Sequence, residues 1–375
     1  MKRFAALLLA LCLLLCACGS PAAEAPTEAP TEAPTEAPTE APTEAPTEAP
    51  TEAPTEAPTE APTEPPVLYR HPLTGEPLDA PWTVRPAICT INNYPDATPQ
   101  YAISQADIFY EVETEGSITR GLAFFTDLSD VGPIGSTRSA RTYLNSITYS
   151  YKGVLAHVGA SDFARYGSYD MQGNRLPVYE HIDWGMNPKY TYRDQARLDA
   201  GYAWEHCLFT TGENLQQALN DLEFDMVVEE GIDYGLTFAE EPEMVGDSAT
   251  NVVVTFQGGK TTTFQWNEER GVYETYQFDG PWIDAGNDDA ILSFRNLFVM
   301  VAERYRPNGV HSFYELIGSG EGYFACDGKI TKVLWHRDTV EDPISFTLED
   351  GTPITLGVGH SYYSFITTRS TVTYN

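Results

Sequence analysis

Residues 325–336, Ala325-Cys326-Asp327-Gly328-Lys329-Ile330-Thr331-Lys332-Val333-Leu334-Trp335-His336, carry the reading on which the fold rests. From Ile330 to His336 β-branched and aromatic apolar residues are mixed with polar ones and follow a turn signal, which marks a strand. Asp327-Gly328 sits just ahead of it, and a two-residue hairpin turn needs positive φ that glycine supplies without strain. The stretch therefore predicts a β-hairpin. The same pattern recurs at 252–256, 261–266, 272–278, 297–302, 313–317, 344–348 and 362–367, with Asp350-Gly351 as a second turn. Residues 241–375 are thus expected to form a small, mostly antiparallel β domain, either a sandwich or a curled sheet.

Upstream of residue 240 the pattern changes. Strand-like runs at 87–92, 107–114, 122–127 and 154–158 alternate with helical spacing over 138–151, where Arg141, Leu144, Ile147 and Tyr151 fall on one face. A second helix is expected after Thr210-Thr211-Gly212-Glu213, which reads as a capping box, with Leu215, Ala218, Leu219 and Leu222 forming its apolar face. Residues 67–240 accordingly predict a mixed α/β amino-terminal domain of layered sheet and helix, which makes the whole an α+β protein. The part after residue 66 is long enough to bury two cores.

The first 66 residues are of another kind. Met1-Lys2-Arg3 and an apolar run to Leu15 make a secretory signal too short to span a bilayer. Leu15-Cys16-Ala17-Cys18 resembles a bacterial lipobox, which implies removal of residues 1–17 and acylation of Cys18, with the lipid bilayer as partner. Residues 18–66 are a linker built on Thr-Glu-Ala-Pro. Proline at every fourth position and the lack of large apolar side chains predict a disordered tether, able to reach up to roughly 150 Å.

The formal charge is −32, and because the first 66 residues carry two cations and eleven glutamates, −23 belongs to residues 67–375. So acidic a body argues against nucleic-acid partners, which require an excess of Lys and Arg. Beyond Cys18 the cysteines are Cys89, Cys207 and Cys326. Three of them, widely spaced, give neither a disulfide framework nor a CxxC metal pair, and are expected as small buried residues. No cofactor motif is present.

Several motifs together resemble a known family. Arg85-Pro86-Ala87, Asn92-Asn93, Ala106-Asp107-Ile108, Glu115-Gly116-Ser117-Ile118-Thr119-Arg120, Gly132-Pro133-Ile134, Arg138-Ser139-Ala140-Arg141 and His157-Val158-Gly159-Ala160-Ser161 look like the amino-terminal domain of the YerB-like lipoproteins of Gram-positive bacteria. Arg193-Asp194, Phe209-Thr210, Asn296 and Gly318-Ser319-Gly320-Glu321-Gly322 are similar to that family's later motifs. The resemblance implies an α+β domain followed by a β-rich one, anchored on the outer face of the membrane of a Gram-positive-type bacterium. It transfers no catalytic residue, because the family's function is unknown. Gly135-Ser136-Thr137 departs from it, since many members run directly into the Arg-Ser-Ala-Arg motif.

The residues suggest a site of their own. Arginine outnumbers lysine 16 to 6, and Arg120, Arg138, Arg141, Arg193 and Arg197 all lie in the first part. A strand, the loop 132–137 and a helix starting near Arg138 would offer free backbone N–H groups to an anion, with Ser139 beside it. Arg138 and Arg141, three apart, would then share one helical face and grip a phosphate or carboxylate. The alternative is pairing with acids, for example Arg120 with Glu111, Glu113 or Glu115. His157 with Ser161 invites a hydrolase reading, although no Gly-x-Ser-x-Gly elbow accompanies it. His181, Asp183, Glu205 and His206 lack metal-ligand spacing. Residues 284–289 faintly resemble a calcium loop but read better as a solvated turn. Tyr101, Tyr143, Tyr149, Tyr151, Tyr166 and Tyr169 suit either core positions or glycan contact.

Two function classes follow. One is a membrane-tethered binding or scaffold module that engages a cell-wall component or wall-machinery protein through an arginine-bearing groove. The other is an extracytoplasmic hydrolase or transferase acting on a wall precursor or glycan, with His157 as base. The missing nucleophile and metal constellation favours the first.

Overall fold

The Asp327-Gly328 turn closes as expected, with φ of +49° and +70°. Strand Gly318–Cys326 pairs antiparallel with Lys329–Arg337 over their full length, from Gly318↔Arg337 to Cys326↔Lys329. This hairpin is one side of an eleven-stranded sheet in a computed structural model that describes residues 69–161, 164, 179–307 and 309–375. The signal, Cys18 and the whole of the tether lie outside the described residues, as do Tyr166 and Tyr169.

From that side the sheet runs Asp247–Ser248, Lys329–Arg337, Gly318–Cys326, Asn296–Val301, Ser361–Ile366, Ile108–Glu113, Thr119–Phe125, Ala87–Asn93, Val154–His157 and His181–Asp183. Ser345–Thr347 pairs with Lys329–Arg337 off this path. Ser361–Ile366 is parallel to both neighbours, Asn296–Val301 and Ile108–Glu113. Every residue of Ser361–Ile366 and of Ile108–Glu113 is buried. Covered on both faces, these strands have no solvent side, so even their polar residues Glu111, Glu113, Ser361 and Ser364 are buried.

A second sheet of six strands, with Asn251–Thr255, Thr261–Asn267 and Val272–Gln277 at its centre, covers one face. Val252, Val254, Phe264 and Tyr273 point from it into a core shared with Phe109, Leu297 and Tyr362. The opposite face is packed by helix Thr142–Ser150, whose Leu144 and Ile147 join Tyr110, Phe298 and Tyr363.

The described residues are 42% strand against 14% helix, so the layered α/β arrangement expected for residues 67–240 gives way to a β-rich one. Five strands of the large sheet come from that segment. The expected helix over 138–151 is shorter than its periodicity suggested. Residues 138–140 are extended against 158–161: Val158 N–H donates to the Arg138 carbonyl at 3.1 Å and Ala140 N–H to that of Gly159 at 3.0 Å. Arg141 is therefore only the N-cap position. The second helix is Gly212–Asp221, capped by Thr211 rather than Thr210, whose hydroxyl donates to the Tyr190 carbonyl. Leu222 lies past its end, 39% exposed.

Candidate functional site

Strand Thr119–Phe125 carries Arg120 opposite Asn92 on one side and Val112 on the other, which buries its side chain. Its Nη1 donates to the Ser139 carbonyl at 2.5 Å. Arg141 donates from Nε and Nη2 to Glu115 Oε2 at 3.1 and 2.8 Å, and from Nη1 to the Ala140 carbonyl at 2.9 Å. Glu115 also accepts from the backbone N–H of Ser312 at 2.7 Å. Arg138 is the least satisfied of the three. Its Nη2 stands 3.7 Å from Glu205, which is 60% exposed, and its buried Nε has no hydrogen-bond partner.

These guanidinium groups feel one another. Burial lowers the Arg120 pKa from its usual value, and the charges of Arg141 and Arg138 lower it further, although an arginine stays protonated at neutral pH. Burial likewise lowers that of Arg138, with Glu205 raising it and Arg141 opposing. Like charges held together off solvent are costly, and an anion among them would offset that cost.

The cluster is not the helix-start cradle read from the sequence. Pro133–Gly135 is a strand paired with Leu208–Thr211, and two of the loop N–H groups are already used, that of Gly135 donating to the Tyr101 carbonyl at 3.4 Å and that of Thr137 to the Leu208 carbonyl at 3.0 Å. Arg138 and Arg141 share no helical face, because both precede the helix. Arg120 also pairs with none of the three acids suggested for it. Glu111 meets Lys260, Glu113 meets Arg304 and Glu115 meets Arg141.

Arg193 and Arg197 work apart from the cluster. Arg193 lies over the Trp204 ring at 4.3 Å and donates to that residue's carbonyl. Arg197, buried, ties together the carbonyls of Ala97, Pro99 and His206. Ser139 contributes its carbonyl to Arg120.

His157 Nδ1 contacts the Gly159 carbonyl at 2.7 Å and Nε2 contacts His181 Nδ1 at 2.9 Å, so neither ring nitrogen is left for Ser161. Ser161 Oγ instead accepts from Ala164 N–H. The hydrolase pair thus lacks its base-to-nucleophile hydrogen bond. His206 sits elsewhere, on Asn92 Nδ2 at 2.8 Å, stacked against Tyr94 and electrostatically coupled to Arg138.

The remaining candidates are structural. Asp284 is buried rather than solvated, and its carboxylate accepts from Ala102 N–H, Ser104 N–H and Gly286 N–H at 2.9 Å each. Burial pushes the Cys89 thiol up to about 12 and Cys326 up to about 11, which disfavours the thiolate that a nucleophile or metal ligand needs. Cys207 is also free and buried. Tyr143 and Tyr151 are core residues. Sequence reasoning missed Glu205 and His206 as neighbours of Arg138, and no local signal marks them, because sixty-odd residues of chain intervene. It also missed Lys260. Its partner Glu111 was named only for Arg120, although an acid inside the apolar run Ile108-Phe109-Tyr110-Glu111-Val112 itself calls for a buried partner.

The fold has a solved counterpart. The crystal structure of YerB protein from Bacillus subtilis superposes with a TM-score of 0.68 at 20% identity, covering 81% of this chain and 99% of that one. In sequence, YerB of Bacillus subtilis (strain 168), named as a candidate lipoprotein, is 39% identical over 97 residues. That alignment spans 25% of this chain and 28% of the relative. Residues 73–225 match the N-terminal domain, and residues 252–363 the C-terminal domain, of the proteins of unknown function DUF3048. With both domains present in order, and a β-rich fold shared with YerB, the chain belongs to the DUF3048 family.

Proposed function

We propose that this protein is a lipid-anchored, extracytoplasmic binding module that captures an anionic envelope component at the Arg120, Arg138 and Arg141 cluster. The anchor reading rests on Leu15-Cys16-Ala17-Cys18 and the tether behind it, and the name of the Bacillus subtilis relative supports it. Anion binding rests chiefly on Arg138. It is a half-buried cation with an orphaned Nε–H and a single exposed carboxylate at 3.7 Å, beside two further guanidinium groups. A phosphate or carboxylate oxygen arriving there would accept the unpaired donor and offset the mutual repulsion. Charge-assisted bonds of this kind contribute roughly 1.5–3 kcal/mol.

Calorimetric titration of the full chain with inorganic pyrophosphate, and with a soluble glycerol-phosphate polymer, tests the reading. Arg138→Ala is expected to weaken binding at least tenfold, about 1.4 kcal/mol, with affinity falling as salt rises. His157→Ala should bind as wild type does. Equal affinity of the wild type and Arg138→Ala for both probes would remove the site.

A further inference from the structure

A buried polar network between the two sheets plays no part in the arginine cluster. Its centre is Glu111, wholly enclosed within Ile108–Glu113. Glu111 Oε1 accepts from Asn93 Nδ2 at 3.0 Å, from the Thr119 hydroxyl at 2.5 Å and from Lys260 Nζ. Its Oε2 accepts from the hydroxyls of Thr262 at 2.7 Å and Tyr362 at 2.9 Å. Two nitrogens, an amine and a primary amide, therefore meet on one carboxylate oxygen.

The amide is polarised at its other end. Asn93 Oδ1 accepts from Gln100 Nε2 and Gln277 Nε2, both at 3.0 Å. The amine is enclosed by aromatic rings, with Nζ 5.0 Å from the Trp282 centroid, 5.5 Å from that of Phe256 and 5.6 Å from that of Phe278. A buried Lys–Glu pair alone would be a poor source of stability, because desolvating both charges costs about as much as their attraction returns. An amine, a carboxylate and an activated amide in one buried pocket form a reactive set.

We infer that Lys260 and Asn93 join in an intramolecular isopeptide bond that ties the large sheet to the small one, with Glu111 as the proton carrier. The Lys260 Nζ lone pair attacks Asn93 Cγ. Negative charge gathers on Oδ1, where the N–H groups of Gln100 and Gln277 hold it. Glu111 takes a proton from Nζ and delivers it to Nδ2, the Cγ–Nδ2 bond breaks, and ammonia leaves as the Nζ–Cγ amide forms. Atoms and charge balance with no oxidant or external reagent. Burial lowers the Lys260 pKa, which favours the neutral amine that the attack requires. A cavity of about 280 Å³, lined by both Asn93 and Lys260, gives ammonia a way out.

The placement gives the bond a use. Asn93 ends strand Ala87–Asn93 of the large sheet, and Lys260 immediately precedes strand Thr261–Asn267 of the small one. Among the described residues all three cysteines are free and buried, so no disulfide supplies such a staple.

Tryptic digestion and mass spectrometry of the full chain, purified from membranes in detergent, decide the matter. The expected product is a branched peptide joining the Asn93 and Lys260 segments, lighter than their sum by the mass of one ammonia, about 17 Da. Lys260→Arg should release the two peptides as separate species. Glu111→Ala should do the same, with retained circular dichroism showing that the fold survives. Recovery of unmodified Asn93 and Lys260 peptides from the wild type overturns the inference. A branch at Glu111 formed by loss of water, about 18 Da, overturns it equally.

Discussion

Glu115 is pushed two ways, and the balance makes it a pH-dependent contributor to stability. Burial raises its pKa, but the hydrogen bonds and charge of Arg141, the Ser312 N–H and the Thr114 hydroxyl more than offset that and hold it at about 2. The folded value lies below the ordinary 4.5, so the stabilisation is complete above that pH and is lost as pH falls from 4.5 toward 2. Urea midpoints measured down this range should drop for the wild type. Arg141→Ala should start with a lower midpoint near neutral pH and lose less of it on acidification, because the carboxylate no longer gains from ionisation. A constant separation between the two curves would show that the pair does not carry the effect. Arg138 should behave differently, since its ion pair with Glu205 is long, at 3.7 Å, and exposed; Arg138→Ala is expected to stay within about 0.5 kcal/mol of wild type in stability. That contrast lets a binding defect at Arg138 be separated from unfolding.

The helix Gly212–Asp221 begins where the chain passes very close to another loop. A Cβ on Gly212 would lie 2.4 Å from the Val131 carbonyl oxygen and 2.6 Å from that of Leu128, both backbone atoms that cannot swing aside. Gly212→Ala is expected to cost about 1–3 kcal/mol through overpacking. Thr211→Ala, which removes the hydroxyl accepting from Asn214 N–H at 3.0 Å, should cost about 1 kcal/mol. Urea unfolding of the two variants checks the order. Elements of this kind were legible in the sequence because their causes are local. The Asp327-Gly328 hairpin, the strand that follows it and the Leu215, Ala218, Leu219 face depend on residues a few positions apart. Residues 138–140 were misread for the opposite reason: their helical spacing is genuine, but backbone bonds to 158–161, invisible in a one-dimensional pattern, hold them extended. The partners of Arg120, Arg141 and Lys260 were hidden in the same way. Each is set by which distant segments the fold brings side by side, and composition says nothing of that.

At the scale of the whole molecule, Ser361–Ile366 is the strand on which the two sequence halves depend. It comes from the carboxyl-terminal half, yet it pairs parallel with Ile108–Glu113 of the amino-terminal half through Ser361↔Ile108 to Phe365↔Val112. On its other edge it pairs with Asn296–Val301. Tyr362 and Tyr363 point to opposite faces, the first into the core beneath the small sheet and the second into the core beneath helix Thr142–Ser150. Neither half can lose this strand and keep its own core closed, so the halves should unfold together. Calorimetry of the full chain should give one transition, and circular dichroism and tryptophan fluorescence should report the same urea midpoint. Ser364→Pro removes a ladder donor in the middle of a fully buried strand, and is expected to lower stability by about 3 kcal/mol or more without splitting the transition. Two separated transitions in the wild type would mean that each half folds on its own and that the parallel pairing between them is a weak contact.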